Sequence, residues 1–451
     1  MSSDRLSVLF RSLLLETKDG EWGKDAPGDD SVEMFVVRGT DFDAVRSGSL
    51  AGVPTRFIAT RNAHRKTLRP LDILIETAGG SKGRPTGKTV LLRQGLFESA
   101  SRPITCASFA RFLRVDPSLA NPEYVFWYLQ HLYKSGVMEG HQVQHTGIAR
   151  FQFTKFADSV GIPLPSLGVQ SELVAVMSTL DDRIAVLRES NTTLEAIAQT
   201  LFKSWFVDFD PVRAKSQGLA PIGMDECAAA MFPDRFDVSE VGNVPVGWKV
   251  HAVGEVVDCI GGATPDTKDD RYWTPAEHPW TTPRDLSGLV SPILTATDRC
   301  ISPAGLAKIG SGLLPTGTLL MSSRAPIGYL AIVQMPVAIN QGYIAMPPGG
   351  RLPPLFMLFW CRQNMDVIKA RANGSTFMEI SKKAFRPIPI LVPPAQIVEA
   401  FHAVGSPLFA RMVENERQAQ TISAIRDLLL RRLISGKLRL PDAEAEAVLV
   451  A

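Results

Sequence analysis

The sequence is poor in cysteine and has no long hydrophobic run. Its five cysteines, at positions 106, 227, 259, 300 and 361, lie far apart and form no Cys-x-x-Cys pair. This spacing argues against zinc ribbons and a disulfide framework, and it is typical of a reducing compartment. No stretch of about 18 apolar residues occurs, and the N-terminus lacks a long apolar region. We therefore expect a soluble, cytoplasmic protein.

Net charge is also small. The 451 residues include 48 Lys and Arg against 46 Asp and Glu, which leaves a net charge of +2. Because the chain is no polycation, any affinity for nucleic acid has to come from local patches. The length predicts two or three domains, and 45% hydrophobic residues are enough for packed cores.

A nucleotide-binding loop is missing, although one glycine-rich segment resembles it. Residues 79–89 end in Gly-Lys-Thr, but Lys82 stands where the motif requires its first glycine. A β-type run follows, instead of a helix whose N-terminus could hold phosphate. We therefore predict no nucleotide site in this segment.

Signatures of methyl transfer and metal binding are incomplete as well. Residues 121–124 are Asn-Pro-Glu-Tyr, which lacks the second proline of the Asn-Pro-Pro-Tyr motif of amino-methyltransferases, and no Gly-x-Gly cofactor loop precedes them. They predict a helix start instead, with Asn121 as N-cap and Pro122 at the first helical position. His141 and His145 are four apart, but no third ligand is evident. We expect no catalytic residue and no metal.

The chain contains a weak internal repeat. Pro163 and Gln170 match Pro389 and Gln396 in similar segments, and "FWYL" at 126–129 matches "FWCR" at 359–362. Short β-type runs fill each half, and a long helical pattern follows each of them. The repeat therefore predicts two similar strand-rich regions, each followed by a helix.

The two helices carry coiled-coil spacing. The seam of the first helix has an unbroken 4-3 spacing, with Asn191 at a core position that would fix register. The second helix, at about residues 395–435, has a less regular seam, and the two helices most simply pair with each other. The first seam is Leu173, Met177, Leu180, Ile184, Leu187, Asn191, Leu194, Ala198 and Leu201; the second is Leu408, Met412, Asn415, Ala419, Ile422, Ile425, Leu429 and Leu433.

These patterns divide the chain into six parts. They are a first strand-rich domain at 1–165, a first helix at 166–206, a linker at 207–245 that is rich in proline, glycine and charge, a second strand-rich domain at 246–392, a second helix at 393–440 and a tail at 441–451.

Local basic patches are the best candidates for function. Between Arg56 and Arg93 there are nine basic residues against two acidic ones, a pattern typical of contact with a polyanion. Amide and guanidinium groups can also read base edges in the major groove. The candidate DNA-binding residues are Arg56, Arg61, Arg65, Lys66, Lys82, Arg84, Lys88, Gln142, Gln144 and Arg150 in the first half, and Lys268, Arg271, Tyr272, Arg324, Arg371, Asn373 and Lys382 in the second.

Two such regions held apart by helices would meet DNA at two places. Both could face one side of B-DNA if about one helical turn, roughly 34 Å, separated them. The architecture therefore predicts a split target with an unread gap.

The segment "LEAIAQTLFKSWFVDFDPVRAK" (194–215), followed by "MFPDRF", "VPVGW" and "GGATPDTKDDRYW", resembles the DNA-specificity subunit of type I restriction-modification enzymes. The resemblance implies an α+β fold in which two target-recognition domains each read half of a bipartite site, and the helices form an antiparallel coiled-coil spacer. It also implies a non-catalytic role alongside two adenine-N6 methyltransferase subunits, with motor-nuclease subunits in the restricting complex. This chain would then bind no cofactor, and S-adenosylmethionine, and ATP with Mg, would belong to those partners.

The aromatic residues Phe202, Trp205, Phe206 and Phe209 would anchor the spacer and dock partners. Alternatively, they pack only within this chain. Two other functions also stay open: a self-contained DNA methyltransferase or nuclease with degenerate motifs, and a coiled-coil scaffold without DNA affinity.

Overall fold

The computed structural model describes residues 7–79, 85–144, 148–239, 242–374 and 378–434. The chain forms two compact units: unit 1 comprises residues 1–185 and 421–451, and unit 2 comprises 186–420. Each unit contains one strand-rich domain and a stretch of each long helix, so the division falls inside the helices and not at their ends. The α+β class, with two strand-rich domains and two long helices that pack together, is confirmed.

Unit 1 is built from short strands and short helices. Its strands are β1 (Ser7–Leu9), β2 (Leu14–Asp19), β3 (Ser31–Val37), β4 (Thr55–Ala59), β5 (Ile73–Glu76), β6 (Ala78–Gly79), β7 (Thr89–Leu91), β8 (Ile104–Cys106), β9 (Ala110–Val115), β10 (Gln142–Gln144), β11 (Ala149–Phe151) and β12 (Gly161–Pro163). Its helices are α1 (Phe42–Arg46), α2 (Thr60–Lys66), α3 (Gln94–Glu98), α4 (Pro122–Lys134), α5 (Phe153–Ser159) and the first part of α6 (Leu167–Phe206).

The helix start at Asn121 is as predicted. The Asn121 side chain accepts a hydrogen bond from the Glu123 backbone N–H at 2.9 Å, and Pro122 occupies the first turn of α4, where its missing N–H costs nothing. α4 then buries Val125, Phe126 and Leu129. This segment is therefore a capped core helix.

Unit 2 repeats this plan. Its strands are β13 (Phe236–Ser239), β14 (Gly242–Pro245), β15 (Lys249–Ala252), β16 (His278–Thr281), β17 (Ile293–Leu294), β18 (Arg299–Ile301), β19 (Leu319–Ser322), β20 (Leu330–Val333), β21 (Ala338–Ile339), β22 (Tyr343–Met346) and β23 (Pro389–Val392). Its helices are α7 (Asp210–Ser216), α8 (Glu226–Met231), α9 (Val253–Val256), α10 (Pro283–Leu286), α11 (Pro303–Leu306), α12 (Pro354–Gln363), α13 (Met365–Ala370), α14 (Lys382–Phe385) and most of α15 (Ala395–Ile434).

The sheets of the two units correspond strand by strand. In unit 1, β5 lies between antiparallel β7 and β9, and β3 lies between antiparallel β4 and parallel β8. In unit 2, β19 has the same place between β20 and β22, and β16 between β18 and β21. The fourth strand of the larger sheet differs, because β2 pairs antiparallel with β9 whereas β17 pairs parallel with β20. The internal repeat is therefore a duplicated fold.

The segment predicted as a linker, 207–245, is folded. It contains α7, α8 and the hairpin of β13 and β14, and it buries Val212 and Phe232 in the core of unit 2. The proline and glycine residues mark turns between these elements. The end of the predicted second helix, 435–440, and the tail, 441–451, lie outside the described residues.

In unit 2 the two long helices pair through an asparagine contact. The Asn415 side-chain amide donates to the Asn191 Oδ1 atom at 2.9 Å, and the Asn191 amide donates to the Met412 carbonyl oxygen at 3.1 Å. Both asparagines are buried. Since a buried amide requires its partner, these bonds favour one register of the helices.

In unit 1 the helices are joined to the strand-rich domain by a charge cluster. The Asp181 carboxylate on α6 accepts hydrogen bonds from Arg46 of α1 (2.9 Å) and from Arg426 of α15. Arg93 lies 3.8 Å from the same carboxylate. Burial alone would raise the pKa of Asp181, but the three arginines outweigh it, and the pKa lies below its ordinary value.

We expect Asn191→Leu to lower the free energy of unfolding by about 1–3 kcal/mol, because it takes the Asn191 Oδ1 acceptor from the buried Asn415 amide, which keeps only its 3.3 Å bond to the Ser190 hydroxyl. Adding Asn415→Leu removes this weakly paired amide and should restore much of the stability. Thermal unfolding of the two single variants and the double variant measures the coupling. Additive losses would show that the two asparagines act independently.

We expect Asp181→Asn to cost about 3 kcal/mol at neutral pH, because it removes the largely buried carboxylate that Arg46 and the buried Arg426 share. A carboxyl group whose pKa is lowered by folding stabilises the fold above its ordinary pKa of 3.8, and this contribution is lost as the pH falls below that value. The difference in Tm between wild type and variant should therefore shrink in acid. The matched control is Asp182→Asn, because Asp182 is exposed and its ion pair with Arg93 contributes little. A constant difference in Tm between pH 7 and pH 3 would contradict this account.

Candidate nucleic-acid interface

Two arginines of the first basic run lie free on the surface. Arg61 and Arg65 occupy positions i and i+4 of α2, so they share one face, and the intervening Ala63 is buried. Among the described residues, neither side chain has an ion-pair or hydrogen-bond partner. Their full charge is available to a phosphate backbone.

Other cations of the run are already paired. Arg56 forms an ion pair with Asp25, and its guanidinium lies 4.4 Å from the ring centre of Trp22. Lys66 and Lys88 pair with acidic residues on neighbouring segments, Glu21 (3.2 Å) and Asp43 (2.7 Å) respectively. The expected continuous patch is therefore divided into free and neutralised side chains. Lys82, Arg84 and His145 lie outside the described residues.

The polar candidates of the first half lie on a small sheet formed by β10, β11 and β6. The Gln142 side-chain carbonyl accepts from the Thr86 backbone N–H (3.1 Å) and hydroxyl (3.2 Å), so its amide oxygen is used inside the protein. Gln144 and Arg150 are exposed. Arg150 has no side-chain partner within the described ranges.

In unit 2 the candidates form two groups. One surrounds Glu379, whose backbone pairs with Arg324 on one side and Asn373 on the other; the Arg324 guanidinium lies 3.7 Å from the Glu379 carboxylate. Arg371 and Lys382 are exposed nearby in the sequence. The Lys382 Nζ atom lies close to Gly261, where a Cβ atom would meet it at 3.0 Å.

The second group lies next to α11. Arg271 pairs with Asp269 at 2.7 Å, and that hydrogen bond lowers the pKa of Asp269. Tyr272 has Lys308 5.7 Å from its ring centre, and Lys268 is exposed. The charge of this second group is therefore partly neutralised, and the unit 2 candidates do not form one continuous cationic surface.

An arginine stacked on a tryptophan occurs in both units and was not predicted. Arg56 of β4 lies over Trp22, and Arg299 of the corresponding strand β18 lies 3.5 Å from the ring centre of Trp273. Each tryptophan precedes the central strand of its sheet. The sequence contains a Trp and a later Arg in each half, but this pairing can be recognised only once the strands of the two units are matched. These stacks hold the loops that flank the basic residues.

Phe202 and Trp205 are not a docking surface, which corrects that expectation. Both are 3% exposed. The Phe202 ring centre lies 5.0 Å from that of Phe356 on α12 and 5.7 Å from that of Phe401 on α15, and Trp205 packs on Phe232 at 5.2 Å. They hold α6 within unit 2, as the alternative of internal packing predicted.

Phe206 and Phe209 differ, because both are half-buried. They line a groove of about 420 Å³ whose wall is part apolar, with Trp360 and Leu391, and part polar, with Gln363. They therefore stay candidates for partner docking. Within the described residues, no group of three or more His, Cys, Asp or Glu could hold a metal ion, and no helix is long and apolar enough to cross a membrane.

Residues 245–414 match the family model of the type I restriction modification DNA specificity domain. The chain is 27% identical to the HindI specificity subunit of Haemophilus influenzae over 62% of this chain and 69% of the relative. It is 30% identical to the MjaIX specificity subunit of Methanocaldococcus jannaschii over 42% of this chain and 43% of the relative. The crystal structure of a type I restriction-modification S subunit from M. genitalium aligns over 96% of this chain and 97% of that chain, at 14% identity and a TM-score of 0.48.

We expect Arg61→Gln with Arg65→Gln to weaken binding of the full-length chain to duplex DNA of any sequence. If each arginine neutralises one phosphate, the slope of log K against log salt should become shallower by about 1.8, since each contact contributes about 0.9. Titrations at several salt concentrations measure it. Arg183→Gln, an exposed change on α6, is the control. An unchanged slope would exclude α2 from the interface.

Proposed function

Because this chain belongs to the DNA-specificity subunits of type I restriction-modification systems, we propose that it recognises a bipartite DNA target, one half with each unit. Members of this family act in complexes with DNA and other restriction-modification subunits. In this proposal the chain selects the DNA target, and the partner subunits carry out adenine-N6 methylation and restriction there.

The observation that carries the bipartite target is the duplicated fold. A single reader would need one such domain, whereas this chain builds the same arrangement of β3, β4, β5, β7, β8 and β9 twice. Each unit also exposes basic side chains, Arg61 and Arg65 in unit 1 and Arg371 and Lys382 in unit 2, which supports two separate contacts with DNA. Two readers in one chain predict two short specified sequences around a gap.

The partners that we propose are two adenine-N6 methyltransferase subunits and, in the restricting complex, motor-nuclease subunits. The chain itself would bind no cofactor; S-adenosylmethionine, and ATP with Mg, would be used by those partners. Phe206 and Phe209, which line the groove of about 420 Å³ in unit 2, are the proposed docking residues. A cytoplasmic location fits the DNA target and the free cysteines.

Each reader is attached to the long helices by contacts within its own unit. In unit 1 the Asp181 cluster joins the strand-rich domain to α6 and α15, and in unit 2 Arg362 of α12 pairs with Glu195 of α6. Each reader is thus fixed to helices rather than attached by a flexible linker. Fixed attachment of a reader to its helices costs less ordering entropy on DNA binding.

The enzymatic alternative is not supported, because the relatives are specificity subunits and the cofactor loop and Asn-Pro-Pro-Tyr motif are incomplete. The scaffold alternative is not supported either, because the matched family model is a DNA specificity domain.

A base-resolution map of N6-methyladenine tests the proposal. Cells that express this chain with its candidate methyltransferase partner should show a split motif with a fixed gap, and cells that lack only this chain should lose it. Methyl transfer by the partner is the readout, so the same partner without the chain is the control. A motif that persists unchanged in the absence of the chain would contradict the specificity role for that partner.

A further inference from the structure

We propose that Arg150 and Glu379 occupy the same position in the two readers and that each reads a base in its own half of the target. This inference rests on the proposed function and names the side chains that set specificity. Arg150 would select guanine in the half read by unit 1, and Glu379 would select cytosine in the half read by unit 2. The repeat therefore presents a donor at this position in one reader and an acceptor in the other.

The backbone establishes that the positions are equivalent. In unit 1 the Phe151 N–H donates to the Thr77 carbonyl oxygen just beyond β5, at 2.9 Å. In unit 2 the Ile380 N–H donates to the Ser323 carbonyl oxygen just beyond β19, at 3.0 Å. β5 and β19 are the corresponding central strands. Arg150 and Glu379 each immediately precede the donor residue of this bond.

Both side chains lie on the outer face of their strand. Ala149 and Phe151 are buried, so the alternation of side chains along β11 turns Arg150 outward. In unit 2 Ile380 is buried and Met378 is exposed, and the Glu379 side chain is itself 45% exposed. A structural role in the core is therefore excluded for both residues.

The neighbours on this face differ in a way that matters for base recognition. Arg150 lies opposite Val143 on β10 and Ala78 on β6, so its cross-strand neighbours are apolar, and its guanidinium has no carboxylate partner among the described residues. Glu379 lies opposite Asn373 and Arg324, and Arg324 compensates for its charge. The same backbone thus presents a hydrogen-bond donor in one reader and an acceptor in the other.

Base chemistry then assigns the preferences. Arginine forms two hydrogen bonds with O6 and N7 of guanine in the major groove, and glutamate accepts from the N4 amino group of cytosine. Phosphates repel a carboxylate, but Arg324 at 3.7 Å offsets that repulsion, and the Glu379 side chain stays 45% exposed and able to accept from a base. Glu379 is not among the DNA-binding residues predicted from the sequence, none of which is acidic.

The test compares split motifs in cells that express the methyltransferase partner with the wild-type chain, Arg150→Gln or Glu379→Gln. Base-resolution mapping of N6-methyladenine is the readout. We expect each variant to lose about tenfold or more of its discrimination at one base pair. Arg150→Gln should relax a guanine in one half only, and Glu379→Gln a cytosine in the other half only. Arg150→Lys, which keeps the charge but not the two-bond geometry, should relax the same guanine.

The controls are Arg183→Gln and Glu399→Gln, both exposed on the long helices, which should leave the motif unchanged. Unchanged motifs in both test variants, or relaxation within the same half, would overturn the assignment and leave the proposed function standing. A uniform decrease in methylation without relaxation of any base would also overturn it, because it would make these residues backbone contacts. If the wild-type chain directs no split motif, the proposed function itself fails.

Discussion

Burial of the aromatic residues at the end of α6 is the interaction on which unit 2 depends. Phe202 and Trp205 enter a cluster with Phe356 of α12, Phe401 of α15 and Phe232 of the segment after α7. One set of side chains thereby joins both long helices, the second strand-rich domain and the connecting segment. Burying a phenylalanine side chain is worth a few kcal/mol, and edge-to-face contacts add about 0.5–1.5 kcal/mol each. Removing any member would loosen several elements together.

The two units attach their helices through different kinds of interaction. Unit 2 relies on apolar burial, whereas unit 1 places Asp181 between arginines from α1 and α15. A buried carboxylate among three arginines is strongly directional, because it is stable only while its hydrogen bonds are made. Apolar packing tolerates small shifts, but this cluster does not. In unit 1, therefore, directional ion pairs and hydrogen bonds attach the strand-rich domain to the helices. In unit 2, the attachment comes from buried apolar surface.

The duplicated fold gives the proposed reading of two different sequences a structural basis. The paired strands that set the backbone are shared, so both readers present side chains from the same position. What differs is the outward residue, such as Arg150 in one copy and Glu379 in the other. Because an outward side chain contributes little to the core, it can change its chemistry without loss of the fold. Stability and specificity are thereby separated on alternate sides of one strand.

The sequence by itself determined the long helices, the start of α4 at Asn121 and the existence of a repeat, because each is a pattern of side chains a few residues apart or a match between halves. Only the tertiary structure decided that the 207–245 segment is folded, that Phe202 and Trp205 are core residues, and which cations are free. Lys88 is neutralised by Asp43 and Arg93 by Asp182, partners that lie far away in the chain. The position of Glu379 likewise follows from hydrogen bonds between strands. Ion pairs between residues far apart in the chain leave no local sequence pattern. The number of charged residues could therefore be counted from the sequence, but which of them are free to contact DNA could not.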